Sequence, residues 1–175
     1  MTMTLIETKT LGTAAASIEF TSIPQTYTDL FVLTSLRAVD NERIALMTLN
    51  GSTANFSMRV LRTENGTVDS FAATSGAFTR FWGVSSFGSD TANTFGVGSI
   101  YIPNYTSANF KSISGDAVSE NNGTSNSINI SAILWSNTAA ITSLAVMPNA
   151  GNYAIGSTVS LYGILKGSSG GVVVS

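Results

Sequence analysis

The feature that most constrains the fold of this chain is alternation: apolar and polar residues change places at every second position over short runs, and Gly, Asn, Ser and Pro interrupt the runs. Side chains on an extended strand point to opposite faces in turn, so the pattern is that of many strands joined by turns. Helical spacing is almost absent. The clearest run, 126–135, puts Ile128, Ile130, Ala132 and Leu134 on one face and Asn129, Ser131 and Ile133 on the other, so the first face is expected in the core and the second mostly in water.

The run 28–37 is apolar on both faces, with Leu30, Val32 and Leu36 on one and Phe31 and Leu33 on the other, which predicts a central strand covered twice. In 157–165, Val159, Leu161 and Leu165 share a face opposite Tyr162 and Ile164, and Gly163 marks a bulge or a close approach in what reads as the last core strand. Further strands are predicted at 5–10, 17–21, 43–50, 56–62, 78–84, 96–102, 110–116 and 140–147, giving ten or eleven in all. Asn50-Gly51, Asn65-Gly66 and Asn122-Gly123 are turn signals, because Asn and Gly tolerate positive φ. Asp40 could cap a short helix starting at Asn41-Glu42, but the residues after it run directly into Asn50-Gly51, so a loop followed by a strand is the better reading. Many short strands at near-regular spacing predict an all-β domain over 1–166, a two-sheet β-sandwich of jelly-roll type.

Past that domain, Gly167-Ser-Ser-Gly-Gly171 reads as a flexible spacer and Val172-Val-Val174 as a β-prone tip. Residues 167–175 are therefore expected to form a C-terminal arm that adds as a strand to a sheet edge on a neighbouring subunit.

Charge is scarce. Asp, Glu, Lys and Arg make up 10% of the 175 residues, against about 25% in an average soluble domain, and Ser, Thr, Asn and Gly carry the polarity instead. Charge keeps monomers apart and discourages edge-to-edge strand pairing, so a surface with so little of it is one built to be covered. With 8 basic and 10 acidic residues scattered singly, no basic stripe exists to neutralise a phosphate backbone, and nucleic acid is not an expected partner. No run approaches the ~20 apolar residues of a membrane span, and the N-terminal residues lack a signal-peptide pattern, so neither membrane insertion nor secretion by that route is expected.

The chain has no histidine and no cysteine, which removes Ser-His-Asp and Cys-His catalysis, His-based metal sites and thiolate zinc sites. Paired carboxylates of the glycosidase kind are the surviving enzymatic chemistry, but the ten acids are scattered. Asp40 with Glu42 and Asp116 with Glu120 are the closest acid pairs, and with Asn41, Asn121 or Asn122 either could line a calcium site, although neither forms an EF-hand loop. The expected disposition is solvated loop carboxylates, with no metal, no cofactor and no enzymatic activity. Phe78, Phe81, Trp82 and Phe87 form an aromatic cluster that could stack on sugars if exposed, and that would fill the sandwich if buried, as would Trp135.

Segments at both ends carry a family resemblance. Thr10-Leu-Gly-Thr-Ala-Ala-Ala-Ser-Ile-Glu-Phe-Thr-Ser-Ile-Pro24 followed by Tyr27-Thr-Asp-Leu30, the turn region Leu49-Asn-Gly-Ser-Thr-Ala-Asn-Phe-Ser57, and Leu134-Trp-Ser136, Ile141-Thr-Ser-Leu144 and Ser160-Leu-Tyr-Gly-Ile164 together resemble the small β-sandwich virion structural proteins of tailed bacteriophages. The resemblance spans most of 5–165 and consists of strand and turn elements. It implies a virion subunit assembled in the host cytoplasm, commonly a homotrimer, and a capsid decoration (cement) protein bound to the major capsid protein or other virion proteins. The absence of a coiled-coil or β-helical shaft favours that role over the alternative, a tail fibre or tail-tip protein that binds host glycans through exposed aromatics and the Asn-rich loop 120–126.

Overall fold

A computed structural model describes residues 2–123 and 125–165 of the chain; the expected arm at 167–175 lies outside the described residues. In chain order the strands are β1 (Thr2–Thr10), β2 (Ile18–Phe20), β3 (Asp29–Leu36), β4 (Ile44–Leu49), β5 (Phe56–Glu64) and β6 (Thr67–Ala73). A 3-10 turn at Ala77–Arg80 leads into β7 (Phe81–Val84), followed by β8 (Gly96–Ile102), β9 (Lys111–Ser119), β10 (Ser127–Trp135), β11 (Leu144–Pro148) and β12 (Thr158–Leu165). They form two antiparallel sheets packed face to face, an eight-stranded one in the order β1-β12-β3-β8-β9-β10-β5-β6 and a four-stranded one in the order β2-β11-β4-β7.

Without β5, β6, β9 and β10, the remaining eight strands, counted along the chain, fall in the orders 1-8-3-6 and 2-7-4-5. That is the double Greek key of a jelly roll. The four others are two antiparallel pairs, β5–β6 inserted between β4 and β7 and β9–β10 between β8 and β11, and β10 joins β5 to make one continuous sheet. The insertions double the large sheet while the small one stays at four strands. Asn50-Gly51 and Asn65-Gly66 both take positive φ, as their turn chemistry requires.

Each expected strand is present, with shifted ends: 110–116 runs on to Ser119, the strand of 140–147 begins at Leu144, and the start of 78–84 is 3-10 turn. Asp40 lies in a loop ahead of β4, not at a helix start. The strand β6 is an addition. Its side chains are exposed or half-buried along its whole length, so no buried face imposes alternation on Thr67-Val-Asp-Ser-Phe-Ala-Ala73. The expectation of double cover for 28–37 is corrected: Leu30, Val32 and Leu36 are fully buried between the sheets, but Leu33 is on the open outer face. In β12, Val159 and Leu161 are buried and Gly163 is a close approach, since a Cβ there would fall 2.3 Å from the Tyr27 ring, while Leu165 is exposed at the strand end.

The centre of the core is Trp82 on β7, fully buried, whose indole N–H donates to the Leu46 carbonyl at 3.2 Å. Because β7 is an edge of the small sheet, its inward backbone groups have no strand on one side. The Trp82 carbonyl is satisfied instead from the opposite sheet, by Ser131 Oγ at 2.8 Å and Asn129 Nδ2 at 3.2 Å. The floor beneath it is smooth: a Cβ on Gly98 would stand 2.9 Å from the indole edge, and one on Gly115 2.7 Å from the Trp82 oxygen. This reverses the faces expected for 126–135. Ser127, Asn129, Ser131, Ile133 and Trp135 point inward, and Ile128, Ile130 and Ala132 point out.

Buried Asp29 and Lys111 are also paired. Asp29 accepts from the Asn104 N–H and the Tyr101 hydroxyl, both at 2.8 Å, and buried Lys111 donates to the Ser107 and Asn109 carbonyls at 2.7 and 2.6 Å. Burial lowers the Lys111 pKa, and these two carbonyl acceptors make its burial tolerable.

Gly115→Ala should destabilise the fold by about 1–3 kcal/mol through overpacking against Trp82 and Ser131, whereas Gly12→Ala, which meets nothing within 4 Å, should leave denaturant midpoints nearly unchanged. Equal effects of the two substitutions would refute the assignment of Gly115 to the Trp82 seat. A second expectation concerns alkaline pH. The Asp29 hydrogen bond raises the Tyr101 pKa, and burial raises those of Tyr105 and Tyr153, all above the ordinary value of 10.0. A group whose folded pKa is raised contributes stability that is present below its unfolded value and lost as pH climbs through the folded one. Thermal midpoints should therefore fall as pH rises above about 10, with phenolate absorbance of these three residues appearing together with unfolding.

Candidate functional site

Strand pairing places the outward side chains of the inserted strands in rows across the large sheet. One row runs Val68, Thr63, Ile128, Val118, Val97 over β6, β5, β10, β9 and β8. The next runs Ser70, Leu61, Ile130, Asp116, Ser99, and a third Ala72, Arg59, Ala132, Ser114, Tyr101. The face is apolar where it is most open: Ile128 and Ile130 keep 54% and 62% of their surface exposed, while Asn129 and Ser131 between them keep 1% each. Leu61, Val68 and Val97 are exposed beside them. Leu61, Ala72, Ile130 and Ala132, with Arg59 and Ser70, line a shallow depression of about 660 Å³ over β10, β5 and β6.

Charges on this face are few: Asp116 accepts from Ser99 Oγ at 2.6 Å, and exposed Arg59 donates to the Met58 carbonyl at 2.9 Å with no ion-pair partner among the described residues. On the inner face of the same strands Arg62 holds Asp69 through two bonds of 2.9 and 3.2 Å and Glu64 at 3.1 Å. Its bond to Asp69 raises the Arg62 pKa. Side chains of this size stabilise by roughly 1.5–3 kcal/mol each when fully buried, so a group of them left in water is a store of association energy.

The aromatic cluster is not a stacking platform. Phe81, Trp82 and Trp135 are buried, Phe87 is half-buried with the Arg43 guanidinium 4.2 Å from its ring centre, and the side chain of Phe78 lies outside the described ones. The acids of the two pairs engage different partners. Glu42 accepts from the Ile44 N–H and from Asn149 at 2.8 and 3.0 Å, Glu120 accepts from the Asn122 N–H at 2.7 Å, and Asp116 faces out from β9. Among the described residues no three His, Cys, Asp or Glu side chains gather.

A second, polar depression of about 430 Å³ lies between Asn41, Phe87, Ser89, Asp90, Asn121 and Ser125. Beside it Arg43 is buried and donates to Ser125 Oγ, and its Nε and Nη1 and both amide atoms of buried Asn121 have no hydrogen-bond partner among the described residues. Burial lowers the Arg43 pKa against the opposing pull of Asp90 and Glu64.

No family model, no curated protein and no solved structure matches this chain. The apolar outer face was missed in the sequence because alternation identifies two faces without saying which is inward. The signal that distinguishes them was present in Gly98 and Gly115 on the neighbouring strands, which mark the side another backbone approaches.

Ile130→Ala and Ile133→Ala remove the same atoms from opposite faces of β10. The first should change stability by under about 0.5 kcal/mol, and the second should cost about 2–5 kcal/mol in urea unfolding. The reverse order would invalidate the face assignment.

Proposed function

We propose that this chain is a non-enzymatic structural subunit of a bacteriophage particle, a capsid decoration protein that binds the head shell and stabilises it. The observation that carries the mode of action is the exposed apolar face of Ile128, Ile130, Leu61, Val68 and Val97, with Arg59 and Asp116 as the charged side chains in its rows. The particle as its setting rests on the sequence resemblance of the segments at the two ends. A flat sheet face is a ready-made protein interface, and one bearing Ile, Leu and Val in adjoining rows gains from burial without the desolvation cost of charge. In a closed homotrimer each subunit adds on the order of 1,000 Å² of interface, and repetition over equivalent lattice positions multiplies a modest individual affinity.

The polar depression favours one second reading, a tail-tip protein that binds host glycans. Unpartnered Arg43 and Asn121 groups near a half-buried Phe87 ring offer donors and acceptors that a polyol could satisfy, and this site replaces the Trp82 platform expected for that role.

The two readings separate in one experiment. Purified protein is sized by light scattering, mixed with undecorated heads and pelleted, and separately incubated with host cells. Decoration predicts a trimer that pellets with heads, that loses at least tenfold in head affinity on Ile128→Asp with Ile130→Asp, and that raises the temperature at which heads rupture. Adherence to cells without binding to heads would move the assignment to the tail tip, and a monomer that does neither would defeat both.

A further inference from the structure

The two sheets end in four edge strands, of which β7 is buried, and three of the four carry features that discourage strand addition. The edges of the small sheet are short, β2 with three residues and β7 with four. At one end of the large sheet β1 has a bulge between Leu5 and Glu7 and places Glu7 and Lys9, 3.5 Å apart, along its length. Bulges, short strands and charges are the means by which proteins keep edges from pairing. At the other end, β6 runs seven residues in unbroken register with β5, without proline or lysine. Its one charge, Asp69, is held by Arg62.

Apolar depressions flank this unguarded edge on both faces. On the outer side, small Ser70 and Ala72 leave Leu61 and Ile130 within reach of a side chain leaning over β6. On the inner side a depression of about 440 Å³ is lined by Ile44, Phe71, Ala73 and Phe81 and by the Arg62–Asp69 ion pair, where the sandwich opens between β6 and the small sheet. A strand added to β6 would send alternate side chains into the two depressions, and the residues that suit both are uncharged, branched and short.

We propose that β6 is the acceptor edge for the Val172-Val-Val174 segment of a second copy of this chain, so that subunits are linked by exchange of their C-terminal arms. Measured along the sheet, the arm is too short to reach β6 of its own subunit. Val172 lies seven residues past Leu165, the last residue of β12, a reach of about 24 Å when fully extended. The position beyond β6 is seven strand spacings from β12, about 34 Å along the sheet. A head-to-tail exchange of this kind closes into a ring. The inference rests on the reading of this chain as an assembling subunit and specifies the contact that assembles it.

The chain has no cysteine, so single-cysteine variants report the contact directly. Val173→Cys and Ser70→Cys proteins are mixed and oxidised, with Val173→Cys and Thr4→Cys on β1 as the comparison pair. The expected result is a disulfide-linked heterodimer with Ser70→Cys at least tenfold above that with Thr4→Cys, together with loss of the oligomer in light scattering on deletion of 167–175 or on Ser70→Lys. Preferential linkage to β1, or an oligomer that survives both the deletion and Ser70→Lys, would overturn the proposal. Both measurements use isolated protein, so failure of head binding leaves them unaffected, and their failure leaves head binding to be judged on its own.

Discussion

The seat of Trp82 is the contact on which the rest of this structure depends. A small sheet of four strands must cover a large one of eight, and β7, the last strand of the small sheet, brings an unpaired backbone edge into the core. A bare carbonyl there would cost about 1–3 kcal/mol. Ser131 and Asn129 reach across to satisfy it, Gly98 and Gly115 allow the indole to lie against the opposite backbone, and the indole N–H returns a bond to Leu46 on the neighbouring strand. The two sheets are thereby fixed in register at the point where cover runs out.

That arrangement has a consequence for the outer surface. Once Asn129 and Ser131 are required inside, the pleat of β10 obliges Ile128 and Ile130 to point outward. The apolar face and the polar seat are therefore one feature seen from two sides, and the same inserted strands that create the face also push the edge β6 beyond the cover of the small sheet. Face and edge lie next to each other, so a lateral partner at β6 and a flat partner on the outer face could be engaged at the same time. Low overall charge leaves both open.

Most of the architecture was legible in the sequence. Turn residues with positive φ at Asn50, Gly51, Asn65 and Gly66, and period-2 runs such as 157–165, located the strands because backbone sterics and local alternation need no distant partner. Edge strand β6 was not legible, since with neither face buried nothing enforces a pattern on it. Gly163 was legible as a close approach, though not that the ring beside it would be that of Tyr27.

The sequence by itself determined an all-β sandwich, the absence of histidine and cysteine chemistry, and a surface poor in charge. All of these follow from composition and local period. The tertiary structure alone decided which face of each strand is inside, and so where the exposed apolar face lies. Alternation is symmetric between two faces, and only the far strand that approaches, here β7 with Trp82, breaks the symmetry. It also decided that Glu42 is held by Ile44 and Asn149, Asp116 by Ser99 and Glu120 by Asn122, because spacing along a chain says nothing about which strands topology brings side by side.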